Sequence, residues 1–290
     1  MVEPDKILPG VSHEVPHEVP VDPSDLTSNA FWELHGSKFN PTVFPRQSFD
    51  AVWRFSEENS ADFERHNFNH AKETLWAAME LVDYCEENGV AVDRVAVVLA
   101  TLTHDNGLGE DHEALGFDSE EEYAAALCDR LAHSLEPKLP KSTIDTAAQA
   151  VRDTALAAEP VIIESKITVN ADLQNVGEDY ETSFLPVTKK LWQEYKQRHG
   201  KLIGDKINDI LFIKLSIAVL RRYTAKDLSL RPFDHRSWHT QAQQNIERLN
   251  REFQKALSFA RRNPAGIGSA AVKRVIDHLP LKDEDQDESS

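Results

Sequence analysis

The chain has 290 residues, enough for one large domain or two small ones with a substantial core. A formal net charge of −17, with 28% charged residues, argues against nonspecific binding to nucleic acid or anionic lipid through a basic surface. It leaves room for a small phosphorylated substrate, because a metal and a few local cations can supply positive charge. The two cysteines, Cys85 and Cys128, belong to no Cys-x-x-Cys and are expected to pack in helices as small apolar residues, as suits a reducing cytosol. No charged-then-apolar leader opens the chain and no apolar run approaches bilayer length, so a soluble cytoplasmic protein with no membrane association is expected.

Residues 1–28 read as an extended or disordered tail. Prolines at 4, 9, 16, 20 and 23 oppose regular helix, and His-Glu-Val-Pro occurs twice, at 13–16 and 17–20. His13 and His17 in this repeat are read as part of a mobile peptide rather than as ligands. From Phe31 to Phe55 aromatics return, and this stretch is expected to cross the core as loop and short helix. Residues 68–88 place Ala71, Leu75, Ala78, Met79 and Val82 on one helical face before Gly89. Residues 92–104 are apolar nearly all round, the pattern of a buried helix, although Val95–Ala100 is also compatible with a strand.

Asp118-Ser119-Glu120-Glu121-Glu122 is a helix start whose acids complement the dipole, and that helix is expected to run to about 133. After a loop at 137–141, a helix capped at 142–145 is expected to end before Pro160. Further helices are expected at about 162–176, 179–199, 204–223, 236–262 and 266–278, and 280–290 reads as an acidic disordered tail. No strand alternation stands out, so the fold class is all-α, with a single helical domain over 29–279.

The chemistry-bearing residues are scattered through these helices. His66 and His70 are four apart and share a face if both are helical. His104 and Asp105 close the second helix, where Gly107 and Gly109 end it and leave both side chains at a rim. Asp172 sits amid Ile163, Ile167, Val169, Ala171, Leu173 and Val176, and a buried carboxylate needs a partner or a metal. His70, His104, Asp105 and Asp172 together offer two imidazoles and two carboxylates from three helices. That set suits one divalent ion with positions left for water and substrate.

The order His, then His-Asp, then Asp on successive helices resembles the HD superfamily of metal-dependent phosphohydrolases. Within it the chain looks most like a bacterial group described as predicted metal-dependent HD phosphohydrolases. The resemblance rests on His66-Asn67-Phe68-Asn69-His70, His104-Asp105, Glu120-Glu121-Glu122-Tyr123-Ala124, Asn170 to Gly177, and Asn245-Ile246-Glu247-Arg248-Leu249, spanning about residues 65–255. It implies an HD-type helical bundle, with His70, His104, Asp105 and Asp172 as metal ligands. The opening also resembles the His-Asn-x-x-His of cyclic-nucleotide phosphodiesterases, which implies that His66 protonates a leaving oxygen.

The chain departs from the group at three places: Arg65 stands where an aromatic is usual, Asn170 where the first Asp of Asp-Ala-Asp-Leu is usual, and Ala157 where a further His often follows Thr154. A single-metal site is therefore expected, holding Mn²⁺, Fe²⁺, Co²⁺, Ni²⁺, Zn²⁺ or Mg²⁺ without discrimination by the sequence. The implied activity is hydrolysis of a phosphoester of a nucleotide or similar small molecule, with His66 and Asp105 catalytic. The alternative is a metal- or nucleotide-binding regulatory module that has lost turnover. A metal-dependent oxygenase ranks last, since it needs more ligands.

Other polar groups read more simply. Glu110, Asp111 and His112 form a solvated acidic loop, and the Asp105-x-Gly107-x-Gly109 spacing does not fit a calcium loop. His133 and His199 lie near helix ends as dipole partners. Lys189, Lys190, Arg221 and Arg222 are the cations weighed for a phosphate role, with surface charge the simpler reading, and His235 and His239 read as a packed helix start beside Trp238.

Overall fold

Short polar side chains set where several helices begin. Thr27, Asn67, Asp93 and Ser119 each accept hydrogen bonds from backbone N–H groups that the first helical turn leaves unpaired. The computed structural model describes residues 25–199, 205–228, 230 and 236–262. In these it has α1 (Ser28–His35), α2 (Arg46–Asn59), α3 (Phe68–Glu87), α4 (Arg94–Thr103), α5 (Glu120–Ser134), α6 (Lys141–Arg152), α7 (Ile163–Asp172), α8 (Leu185–His199), α9 (Asp205–Thr224) and α10 (Arg236–Arg262). A 3₁₀ turn, Gln174–Gly177, and a π-helical turn, Tyr180–Phe184, link α7 to α8. The described residues contain no strand, and their one isolated β-bridge joins Ser60 to Asn106. The protein is an all-α bundle.

Two hydrophobic cores meet along α7. The larger gathers Phe31, Phe49, Leu75, Met79, Val97, Leu99, Cys128, Val151 and Ile167 from α1 to α7. The smaller gathers Val169, Val176, Phe184, Ile217, Ile246, Leu249 and Leu257 from α7, the two linking turns, α9 and α10. Each fully buried Leu, Ile or Phe removes enough apolar surface from water to contribute about 1.5–3 kcal/mol before chain entropy is counted. Helix α4 is buried continuously from Ala96 to Thr103, as its all-round apolar pattern requires. Cys85 and Cys128 are buried and free, packed as small apolar residues.

Several boundaries differ from the sequence reading. The N-terminal segment joins the fold before residue 29: Leu26 is in the larger core and Thr27 caps α1. Phe31–Phe55 holds two helices, and α2 continues to Asn59, because Phe49, Val52 and Trp53 give it a strong apolar face. Helix α6 stops at Arg152 instead of running towards Pro160. Beyond it the Tyr223 hydroxyl donates to the Thr154 carbonyl (3.1 Å) and Lys226 Nζ to the Ala155 carbonyl (2.7 Å), taking two acceptors that a longer helix would use. The helix expected over 162–176 is α-helical to Asp172 and then tightens into the 3₁₀ turn. Residues 1–24 of the expected tail, the helix at 266–278 and the acidic segment 280–290 lie outside the described residues. No helix among the described residues is long and apolar enough to cross a membrane.

Candidate metal centre

The spacing of His66 and His70 has a different local cause from the one expected. His66 precedes α3 and is not helical. Asn67 is the N-cap: its Oδ1 accepts from the Asn69 N–H (3.0 Å) and the His70 N–H (3.2 Å), while its Nδ2 donates to the Phe63 carbonyl (2.7 Å). The cap folds the chain back so that the two imidazoles still meet, with ring centroids 5.6 Å apart. His70 falls on the first turn, only 2% exposed. Its Nδ1 faces the buried Thr74 hydroxyl at 3.4 Å.

His104 terminates α4, and its Nδ1 donates to the Thr101 carbonyl (2.9 Å), so that in the neutral ring Nε2 is the nitrogen able to bind a cation. The chain then reverses. The Asn106 N–H donates to the Thr103 carbonyl and the Gly107 N–H to the Asn59 carbonyl, both at 3.0 Å. Gly107 has φ +77°, and a Cβ there would press into the Tyr123 ring, so glycine is needed on both counts.

Asp172 is the last residue of α7 and 19% exposed at its side chain, so it lies at a cavity rim rather than sealed within the helix. Asn170 is the more deeply buried polar residue. Its Nδ2 donates to the Lys166 and Leu228 carbonyls (2.8 and 3.0 Å), so this amide ties backbone together. Asn245, from the late helix of the pattern, also serves structure. Its Nδ2 donates to the Val176 and Glu178 carbonyls (3.0 and 2.7 Å), and Gly177 beside them lies so close to the Trp238 ring that a Cβ would collide with it.

His70, His104, Asp105 and Asp172 come together at one place. His70 Nε2 is 2.9 Å from Asp172 Oδ1 and 3.5 Å from Asp105 Oδ2. His104 Nε2 is 3.0 Å from Asp105 Oδ2 and 3.6 Å from Asp172 Oδ1. Although close, His104 Nε2 and Asp105 Oδ2 are not aligned as donor and acceptor, and both are buried without a hydrogen-bond partner. His70 Nε2 is hydrogen-bonded to Asp172 Oδ1, whereas His104 Nε2 and Asp105 Oδ2 crowd the same point with no partner, and such orphaned buried atoms fit a shared cation. His70, His104 and Asp172 offer ligand atoms within 4.8 Å of one another, and so do His66, His70 and Asp105. These two groups share His70, and both imidazole and carboxylate suit divalent transition metals. The buried cluster can hold a metal ion.

The electrostatics agree with that capacity. Burial, with repulsion from Arg65, lowers the His70 pKa to about 4, so its ring is neutral at pH 7 as a ligand must be. Burial also opposes charge on His104, but Asp105 and Asp172 outweigh it and hold its pKa well above the usual range. The same anionic field that draws a proton to His104 draws a cation. Burial raises the pKa of Asp105 and Asp172, yet the surrounding histidines outweigh it and keep both below the ordinary carboxylate range.

A chamber of about 190 Å³ opens beside the cluster, lined among others by His66, His104, Asp105, Asn106, Glu120, Glu121, Thr154, Asp172, Arg198 and Tyr223. Asn106, Glu120 and Arg198 are among the lining residues that were not legible as site residues, and neither was Glu194 behind them. Glu194, on α8 and 3% exposed, accepts from the His66 N–H (3.1 Å) and pairs with His66 Nδ1 (2.7 Å). Burial opposes a charged His66, but Asp105 and this Glu194 hydrogen bond outweigh it and raise its pKa. Arg198, one turn on from Glu194, pairs with Glu120 and brings a cation to the chamber. Asn106 Nδ2 is buried without a partner in the chamber wall, a free donor. Glu120, read from sequence as a helix-start acid, also forms part of that wall.

The remaining polar residues separate from the site. Lys189, Lys190, Arg221 and Arg222 are exposed and line none of the described cavities. Glu110 and Asp111 are exposed, and Asp111 Oδ1 accepts from the Ala114 N–H (3.1 Å). His133 Nδ1 bonds the Asp129 carbonyl at 2.9 Å, and His239 Nε2 meets Gln243 at 3.2 Å. His235 lies outside the described residues, as do the side chain of His199 and the repeats carrying His13 and His17. Arg65 is buried and paired with Glu73 (2.8 Å). Thr154 lines the chamber, whereas Ala157 does not. No family model matches this chain, and no curated protein matches it.

Proposed function

We propose that this chain is a metal-dependent phosphohydrolase of the HD type, cleaving a phosphoester of a small molecule. The observation that carries the reading is the convergence of His70, His104, Asp105 and Asp172 on one point, beside an imidazole held by Glu194 and a cation, Arg198. A divalent ion held by those four residues supplies Lewis-acid activation of water and of a phosphoryl oxygen. Mn²⁺, Fe²⁺, Co²⁺, Ni²⁺, Zn²⁺ and Mg²⁺ are the ions to test first.

The protein groups then have separate tasks. Arg198 and the Asn106 amide hold phosphoryl oxygens, supplying positive charge and a hydrogen bond where negative charge gathers. Asp105 orients the attacking water. The water oxygen bonds to phosphorus, the bond from phosphorus to the ester oxygen breaks, and His66 donates a proton to that oxygen as it leaves. The proton lost by water restores His66 by way of solvent, so hydroxide is added to phosphorus and a proton to the alcohol. Glu194 keeps the His66 ring turned towards the chamber and favours its charged form.

The test is metal analysis of protein purified without chelator, followed by assay with Mn²⁺ on bis-p-nitrophenyl phosphate and a nucleotide panel. Turnover that disappears in Asp105→Ala supports the enzyme. Nucleotide binding without turnover supports the regulatory module instead. Protein that neither retains nor takes up any of these ions sinks both.

A further inference from the structure

We propose that the organic group of the substrate ester is apolar and is received by the pocket between α8 and α9, with His66 and Arg198 gripping the ester at its mouth. This rests on the phosphohydrolase reading and narrows it. The pocket has a volume of about 250 Å³ and a wall built largely from Phe184, Val187, Leu191, Phe212, Leu215 and Leu220. His66 and Arg198 line both this pocket and the polar chamber, so the two spaces meet at those side chains. A phosphoester has the matching shape: a charged head, a bridging oxygen and an organic group beyond it. With the head in the chamber, the bridging oxygen falls beside His66, where the leaving group needs its proton.

The wall is mostly apolar, with His66, Asn175, Thr188, Glu194, Tyr195, Arg198 and Ser216 as its polar lining, and several of these are already engaged. The Thr188 hydroxyl donates to the Phe184 carbonyl (2.9 Å), Glu194 is engaged by His66 (2.7 Å), and the Asn175 amide meets the Ser183 hydroxyl (2.9 Å). A sugar placed against Leu191, Phe212 and Leu220 would turn hydroxyls onto apolar carbon, where they gain no partner and burial penalises them. An aryl or branched alkyl group loses nothing and removes apolar surface from water. The volume of about 250 Å³ is ample, since a cavity of about 150 Å³ already admits benzene.

The experiment compares two non-hydrolysable phosphonates of equal charge, benzylphosphonate and hydroxymethylphosphonate, binding to the full chain in Mn²⁺ by titration calorimetry. The expected result is at least about tenfold tighter binding of benzylphosphonate, the effect of burying one ring. Leu191→Trp fills the pocket and is expected to bring benzylphosphonate to the level of its polar counterpart. Leu215→Trp, at a position 52% exposed, is expected to do the same with less risk to folding. Retained Mn²⁺ affinity shows that each variant is folded. Equal affinities, binding of neither phosphonate by a protein that takes up Mn²⁺, or a preference that survives both tryptophans overturns the pocket assignment and leaves the metal centre standing. A protein that takes up no divalent ion overturns the phosphohydrolase reading, and this inference falls with it.

Discussion

The larger core packs the four candidate ligand residues from behind, at the ends of α3, α4 and α7, whereas the smaller core carries α8 and α9, which bring Glu194, Arg198 and the apolar pocket. The ligand side is fixed locally. His70 is held by the Asn67 cap, His104 by its own Thr101 carbonyl, and the turn after Asp105 by Asn59. The opposite side is fixed by reach. Glu194 meets His66 across 128 residues of chain, and Arg198 crosses to Glu120. A cluster divided in this way can keep its buried half rigid while the opposite wall varies, because the two halves rest on separate cores.

The largest expected effect comes from breaking the cage. Asp105→Ala or His104→Ala should leave protein without bound metal, by elemental analysis, and reduce turnover to background. Retention of stoichiometric metal in both would show that the four residues are not the ligands. Changes on the other side should spare the ion. His66→Ala is expected to lower kcat by about 10²–10⁴-fold, the usual worth of a general acid. Glu194→Gln is expected to cost about 10–100-fold, as for other carboxylates that orient a catalytic imidazole. Metal content should be unchanged in both. Loss of metal from either would join His66 to the cage.

The cores can be set against each other directly. Leu99 and Leu257 are both fully buried, so Leu99→Ala and Leu257→Ala should each lower stability by about 2–5 kcal/mol in urea titrations. Only Leu99→Ala, behind the cage, should also weaken Mn²⁺ binding by calorimetry; equal weakening in both would mean that the cores act as one. Asn67→Ala removes the cap that sets His70 and should cost about 1 kcal/mol together with a measurable loss of metal affinity.

The smallest effect concerns Asp83, in the larger unit and remote from the cage. Burial raises its pKa, but hydrogen bonds from Lys38 and Arg94 outweigh it and leave the folded value below the usual one. A depressed carboxylate stabilises the fold above its unfolded pKa of about 3.9 and ceases to do so as pH falls through the folded value. Its worth is below about 1 kcal/mol because the pair is partly solvated. Asp83→Asn should therefore lower Tm slightly at pH 7 and match the parent near pH 2. A difference that persists at low pH would rule out the ion pair as its source.

The helix starts at Phe68 and Glu120 were legible from local pattern and acidic capping, whereas α4 begins at Arg94 and not at 92, because Asp93 caps it. The candidate ligand types were legible too, since two histidines and two acids at helix ends are chemically conspicuous. The end of α6 was not, because it depends on Tyr223 and Lys226. Nor was the orientation of His66, which the spacing placed on a helix and which the cap places just before one.

Periodicity, capping and residue chemistry are short-range properties, so the sequence alone determined an all-α chain and offered His70, His104, Asp105 and Asp172 as a candidate set. Convergence is a long-range property. Only packing around α7 brought His70, His104 and Asp172 together with Asp105 alongside, put Glu194 behind His66, left the Asn106 amide unpaired and joined a polar chamber to an apolar pocket. The physical reason is that each of these depends on which helices bury their faces against one another, and apolar faces do not name their partners.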